Sequence, residues 1–190
     1  MIVRVRTPPA CFAWKSTPEA CVPIPMSDEQ LLFEAVSDRS PASIADVIAL
    51  MESIDAVLTT DDGLKWFNFL YLMTTREVQR RPPATGWLDP LWLSQLDVAF
   101  ANSYFQALRS WHNDPNSAPR AWQVLFESRY KAGVARIQFA LCGMNAHINH
   151  DLPFALVHTD EAAQLTPTLG SPQHRDFEYV NNILEQVVLR

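Results

Sequence analysis

The sequence predicts an all-α fold, a single-domain orthogonal bundle of about six helices with an irregular Pro-rich N-terminal arm. Three observations lead there. Apolar residues recur at three- and four-residue spacings through most of the chain. Helix-start signals repeat, with Ser40-Pro41, Asp89-Pro90 and Ser171-Pro172 each setting a capping side chain before a proline suited to the first helical position. No long alternating pattern marks a strand beyond the N-terminus.

Residues 1–26 carry five prolines, Pro8, Pro9, Pro18, Pro23 and Pro25, which exclude a regular helix. Ile2-Val3-Arg4-Val5-Arg6 alternates weakly and allows a short edge strand. This arm is expected to drape over the domain or to contact a partner, and it is a candidate for exchange between subunits of a homo-oligomer. Residues 27–190 form the helical domain. Asp28 to Val36 allows a short first helix, followed by helices over residues 41–58, 61–79, 89–111, 119–131, 133–158 and 172–190. Thr60 before Asp61 and Asp62 starts the second of these long helices, with two acids at the positive end of the helix dipole. Pro153 predicts a kink in the helix over residues 133–158. His112 to Ser117 and Thr166 to Gly170 read as loops.

At 190 residues with 48% hydrophobic and 19% charged content, one domain with a large core is expected. Six Trp, ten Phe and four Tyr make that core rich in bulky side chains. A net charge of −6, with no basic stripe, disfavours nucleic acid as a partner. No apolar run reaches the roughly 18 residues of a membrane span, and Met1 to Arg6 lacks the apolar core of a signal peptide. A cytoplasmic location is therefore expected. There, Cys11 and Cys21 are expected to be free thiols and Cys142 a small core residue.

Polar residues on apolar faces carry the functional reading. In the helix over 89–111, Asp97 lies within the stripe Leu93, Phe100, Tyr104, Leu108 and Trp111. In the helix over 61–79, Asn68 and Thr75 share a face with Leu64, Phe67, Tyr71 and Val78, while Trp66, Phe69 and Met73 cover the other side, so this helix is expected to be central. Asn181 shares a stripe with Phe177, Leu184 and Val188. Between residues 133 and 158, Ile137, Leu141, Met144, Ile148 and Ala155 form the expected stripe, with His147 and Asp151 on its flank and His150 at the rim. Such groups either satisfy one another in a network or line a cavity.

His147 and Asp151 are four residues apart and can meet on one helix face, with the carboxylate fixing the imidazole tautomer. That is half of a general acid–base arrangement, with Asp97 and Tyr71 as opposing groups. The expected catalytic set is His147, Asp151, Asp97 and Tyr71, and the expected substrate-binding set is Asn68, Thr75, Tyr104, Asn145, Asn181 and Trp66. No Gly-rich phosphate loop, reactive-Cys context or nucleophile elbow accompanies them. His147, Asp151 and Asp97 also have metal-ligand character, although no Glu-x-x-His pair of the di-iron bundle type is present. No cofactor is expected, with a divalent metal at those three residues the alternative.

The run Gly143-Met144-Asn145-Ala146-His147-Ile148-Asn149-His150-Asp151-Leu152-Pro153 resembles the signature of a bacterial family, domain of unknown function 5995. Trp66-Phe67-Asn68 with Tyr71 and Thr75, Leu96 to Ala101 with Tyr104, Ala121-Trp122, and Asp176 with Val180-Asn181 extend the resemblance from about residue 28 to 188. It implies a helical fold, assigns no activity, and implies that Asn145, His147, Asp151 and Asp97 belong to one site.

The function expected is a small helical enzyme that applies His/Asp acid–base chemistry to a hydrophobic metabolite, of cyclase, lyase or hydrolase type. The alternatives are a metal-dependent hydrolase and a non-catalytic ligand-binding or interaction domain whose polar network only specifies the core.

Overall fold

The computed structural model describes residues 27–188. The expected arm, residues 1–26, lies outside the described residues. The described chain is all-α, with eight α-helices: α1 (Asp28–Val36), α2 (Ile44–Val57), α3 (Gly63–Arg80), α4 (Pro90–Asn113), α5 (Arg120–Ser128), α6 (Arg136–Ala146), α7 (Leu152–Ala163) and α8 (Pro172–Val188). No described helix is long and apolar enough to cross a membrane.

Two of the four expected starts hold. Asp89 accepts from the Trp92 amide with Pro90 at the first turn of α4, and Ser171 accepts from the His174 amide at the start of α8. The other two starts move downstream. Ser43, not Ser40, caps α2, because its hydroxyl accepts the Asp46 amide and donates to the Asp46 carboxylate. Asp62, not Thr60, caps α3 by accepting the Leu64 amide.

That cap is also an ion pair. Arg129, at the end of α5, grips the Asp62 carboxylate through Nε (2.9 Å) and Nη2, and Nη1 reaches Glu29 of α1 at 3.1 Å. The Arg129 carbonyl accepts the first amide of α3, from Gly63, at 2.6 Å. One buried guanidinium thus ties α1 and α5 to the start of α3.

Helix α3 is central, as expected, and packs against α2, α5, α6 and α8. Its partner α6 keeps only Met144 of the expected stripe against the core. Ile137 and Leu141 are 58% and 54% exposed, while Phe139, Ala140, Gly143 and Ala146 face inward. The reason is closeness of approach. A Cβ on Gly143 would fall inside the Phe67 ring, and a Cβ on Gly63 inside the Phe139 ring. Only glycine at these crossings lets the two backbones come so near, so small residues rather than large ones define the buried face.

From α6 the chain runs without a break into α7 through one π turn, His147–Asp151, in which the Leu152 amide bonds the His147 carbonyl. Pro153 follows directly, on the second residue of α7. The wider turn rearranges the hydrogen-bond ladder where the missing proline amide would interrupt it. The helix continues to Ala163, five residues beyond the expected end.

The core has two parts. The larger gathers α1 to α6 around Leu50, Phe67, Tyr104 and Trp122, and the smaller joins Trp92, Leu93 and Leu96 of α4 to Ala155 of α7. Helix α8 closes the second part. Asp176 accepts the amides of Leu88 (3.0 Å) and Asp89 (2.7 Å), and Gln173 donates to the Asp89 carboxylate at 2.7 Å.

Two stability predictions follow from these contacts. Arg129→Ala strands the buried Asp62 carboxylate and is expected to lower unfolding free energy by about 3 kcal/mol in urea titration. Gly143→Ala, at a position with ordinary helical backbone, is expected to cost about 2 kcal/mol through overpacking alone, measured the same way. A neutral Gly143→Ala would show that α3 and α6 can part without loss.

Candidate functional site

The seam between the two parts of the core holds a cavity of about 100 Å3. Tyr71, Thr74, Thr75 and Val78 of α3 form one wall, and Leu93, Leu96, Asp97 and Phe100 of α4 the facing wall. Met144, His147, Ile148 and Leu152 close the end, and Phe177, Val180, Asn181 and Leu184 of α8 form the remaining side. The surface is mostly hydrocarbon.

His147 is 1% exposed and held on every side. Its ring stacks on Phe100, centroids 3.5 Å apart and planes 6° from parallel, and the edge of Tyr71 meets it at 4.5 Å. Nδ1 lies 2.9 Å from Oδ2 of Asp151 across the π turn. The same oxygen accepts from the Trp122 indole at 3.0 Å. An indole N–H can only donate, so this oxygen is an acceptor, and His147 carries its proton on Nδ1. The Nε2 lone pair is therefore the free end of the ring. Oδ1 of Asp151 takes His150 Nδ1 at 2.8 Å, which leaves the 2%-exposed carboxylate bonded on both oxygens.

Three buried polar atoms on the cavity residues have no hydrogen-bond partner: Nε2 of His147, the hydroxyl of Tyr71 and Oδ2 of Asp97. A group left unsatisfied in a buried site costs free energy unless something completes it. Their electrostatics agree with an apolar pocket. Burial pushes the Asp97 carboxyl up to about 7. It pushes the Tyr71 phenol well above its ordinary value, with the nearby Asp97 and Asp151 charges adding to the effect. It lowers His147, against the opposing pull of Asp151. Near neutral pH the pocket thus offers a neutral imidazole, a neutral phenol and a carboxyl that is protonated in good part.

The expected catalytic residues converge, but around two hollows rather than one. His147, Asp97 and Tyr71 line the cavity, whereas Asp151 stands behind His147 and faces a second, more polar hollow that His150 and His158 share. Since Asp151 spends Oδ2 on His147 and Trp122, the trio His147, Asp151 and Asp97 does not close on one point. Among the described residues no three His, Cys, Asp or Glu side chains are placed to hold a metal ion.

The expected binding residues separate further. Thr75 lines the cavity, with its hydroxyl donated to the Tyr71 carbonyl at 3.1 Å. Asn181 reaches the cavity from an exposed position, so it sits at the mouth and not on a buried face. Asn68 and Tyr104 are core groups. Asn68 donates to the Met51 carbonyl at 3.0 Å and accepts the Tyr104 hydroxyl at 3.5 Å, and neither lines the cavity. Trp66 lies away from it, under the Arg136 guanidinium at 4.3 Å. Asn145 is exposed and bonds Asn149 at 2.6 Å, outside the site its signature run implied.

Sequence reasoning missed Trp122 as the residue that orients Asp151, and Asp176 and Gln173 as those that fix α8 over the cavity. Trp122 stood out only in the Ala121-Trp122 run of the family resemblance, which gave it no role. Asp176 was detectable as a carboxylate on the buried side of an amphipathic helix.

Residues 44–190 match a family described as a family of unknown function, DUF5995. No curated protein and no solved structure matches the chain.

Asp97 gives a prediction with a definite sign. Its folded value lies above the model-peptide value of 3.8, so the stability it allows is full below pH 3.8 and is lost as pH rises through about 7. Asp97→Asn keeps the shape without the charge. The variant is expected to match the parent near pH 4 and to exceed it by about 2 kcal/mol at pH 8, a figure discounted for the residue's partial exposure. Chemical denaturation at several pH values measures this, and a constant gap would remove the neutral carboxyl from the site.

Proposed function

This chain belongs to the DUF5995 family, and from that premise we propose that it is an enzyme using general acid–base catalysis on a small hydrophobic molecule. The observation that carries the proposal is the set of three unpartnered buried atoms on one apolar cavity: Nε2 of His147, Oδ2 of Asp97 and the Tyr71 hydroxyl. An inert core leaves few such atoms, and seldom three of complementary kinds around one space.

The roles follow from the protonation states. His147 Nε2 is the base, because its ring is neutral and its other nitrogen is committed to Asp151. When it takes a proton, the Asp151 carboxylate 2.9 Å from Nδ1 stabilises the imidazolium. Asp97 is the acid, and its position near neutrality suits proton donation at ordinary pH. Tyr71 donates a hydrogen bond to the substrate. The apolar walls exclude water and strengthen each of these interactions. Covalent catalysis has no support here: no Ser, Cys or Lys lines the cavity, and both Thr74 and Thr75 donate to backbone carbonyls one turn back.

The test is a comparison of metabolite consumption. An organic extract of the producing cells is incubated with the protein or with His147→Gln, and the products are followed by mass spectrometry. At least one hydrophobic compound is expected to change with the parent, and to change at least about 100-fold more slowly with His147→Gln. Equal consumption by the variant sinks the proposal. Against that substrate, activity is expected to fall above about pH 7 as Asp97 ionises, and on the acid side as His147 takes a proton. In Asp97→Asn the alkaline fall should disappear.

A further inference from the structure

The three free atoms are not interchangeable, and their kinds limit the reaction. His147 Nε2 can only accept a proton. The Tyr71 hydroxyl and a protonated Asp97 can both donate, and the two stand on facing walls of the cavity. One acceptor and two donors match a substrate with an acidic C–H beside an oxygen that gains charge. Resting on the acid–base reading above, we propose that the cavity enolises a small hydrophobic carbonyl compound, with Tyr71 and Asp97 holding the carbonyl oxygen and His147 Nε2 removing the adjacent C–H proton.

The step balances without a co-reactant. The C–H bond breaks and its electrons form the carbon–carbon double bond. The carbonyl π pair moves onto oxygen, where two hydrogen bonds hold it. The proton rests on Nε2 of His147 and returns to the same carbon or, in an unsaturated ketone, to the carbon at the far end of the conjugated system. The second outcome is a double-bond isomerisation.

Hydrolysis fits less well, since it needs a nucleophile or an activated water and the walls are largely hydrocarbon. Desolvation supports the donor roles. Burial keeps the Tyr71 phenol protonated and pushes Asp97 up to about 7. A carboxylic acid kept neutral by apolar surroundings can donate to an oxyanion in the same way a phenol does. The size also sets a limit. At about 100 Å3 the space is smaller than an engineered apolar cavity of roughly 150 Å3 that admits benzene, so one small ring is the most its enclosed part would take. The exposed Asn181 at the mouth leaves room for a longer substrate to extend toward solvent.

Phenols test the oxygen site, because a bound phenolate imitates an enolate. The full-length protein is titrated at pH 7 with phenol and with ring-fluorinated phenols of nearly the same shape and rising acidity. Affinity is expected to rise with acidity, and the bound ligand to show phenolate absorbance. Tyr71→Phe and Asp97→Leu, checked for folding by circular dichroism, are each expected to weaken the most acidic phenol by at least about tenfold. The base is tested by α-hydrogen exchange of cyclohexanone in heavy water, followed by proton NMR. The parent is expected to speed the exchange, and His147→Gln to lose the effect. Binding that ignores phenol acidity overturns the oxygen site while leaving an apolar pocket intact. Exchange no faster than in buffer overturns enolisation. Failure of every phenol to bind removes the pocket, and the acid–base reading falls with it.

Discussion

The close crossing of α3 and α6 is the constraint on which the rest depends. Phe67 lies over Gly143, where a single methyl group would collide with its ring. One turn further along each helix stand Tyr71 and His147, so the same approach that seats Phe67 brings the Tyr71 edge to 4.5 Å from the imidazole. One contact sets both the seat of Phe67 and the placement of the Tyr71 ring against His147. Arg129 anchors the other end of α3 through Asp62 and Glu29, which leaves little freedom for the helix to slide.

Electrostatically the site is arranged in depth. Asp151 lies behind His147 and is bonded to Trp122, His147 and His150. The groups on the cavity itself are neutral or nearly so, because each sits where a charge would be poorly solvated. This division explains how a carboxylate and a titratable carboxyl coexist near one imidazole. Asp151 has three donors, and Asp97 Oδ2 has none. Environment, not residue type, separates the two carboxyl groups.

Most of the fold was legible because helix periodicity and capping are local. Asp89-Pro90 and Ser171-Pro172 mark helix starts that depend on a few neighbouring residues. Ser40-Pro41 misled because Ser43 offers a better cap, with Asp46 placed to return the bond. The inward face of α6 was misread for a physical reason. A stripe weighted by side-chain size favours Ile137 and Leu141, whereas a tight crossing selects Ala140, Gly143 and Ala146. The pairing of His147 with Asp151 was legible from spacing, and Asp97 and Tyr71 from their place on apolar faces. Asn68 and Tyr104 looked equivalent to them, because a helical wheel separates inside from outside but does not tell a filled interior from a hollow one. Asn145 entered through the resemblance of its run, and Trp66 lies on the side of α3 that the helical wheel sets opposite Asn68 and Tyr71, so neither reaches the cavity.

The π turn makes the site separable from the fold. An α-helix with one residue more or less is still an α-helix, and the segment Arg136 to Ala163 would remain continuous if the turn relaxed to regular pitch. Loss of a single residue between His147 and Asp151 would leave the pair three apart, about 60° in phase at regular α pitch and still neighbours on one face. The extra residue of the wide turn therefore sets the distance and angle at which Nδ1 of His147 meets its carboxylate, not the face that carries it. An in-frame deletion here can accordingly leave the hydrophobic pattern of the bundle almost unchanged while altering the fit of imidazole to carboxylate, so the spacing across this turn is freer to vary than the packing on either side of it.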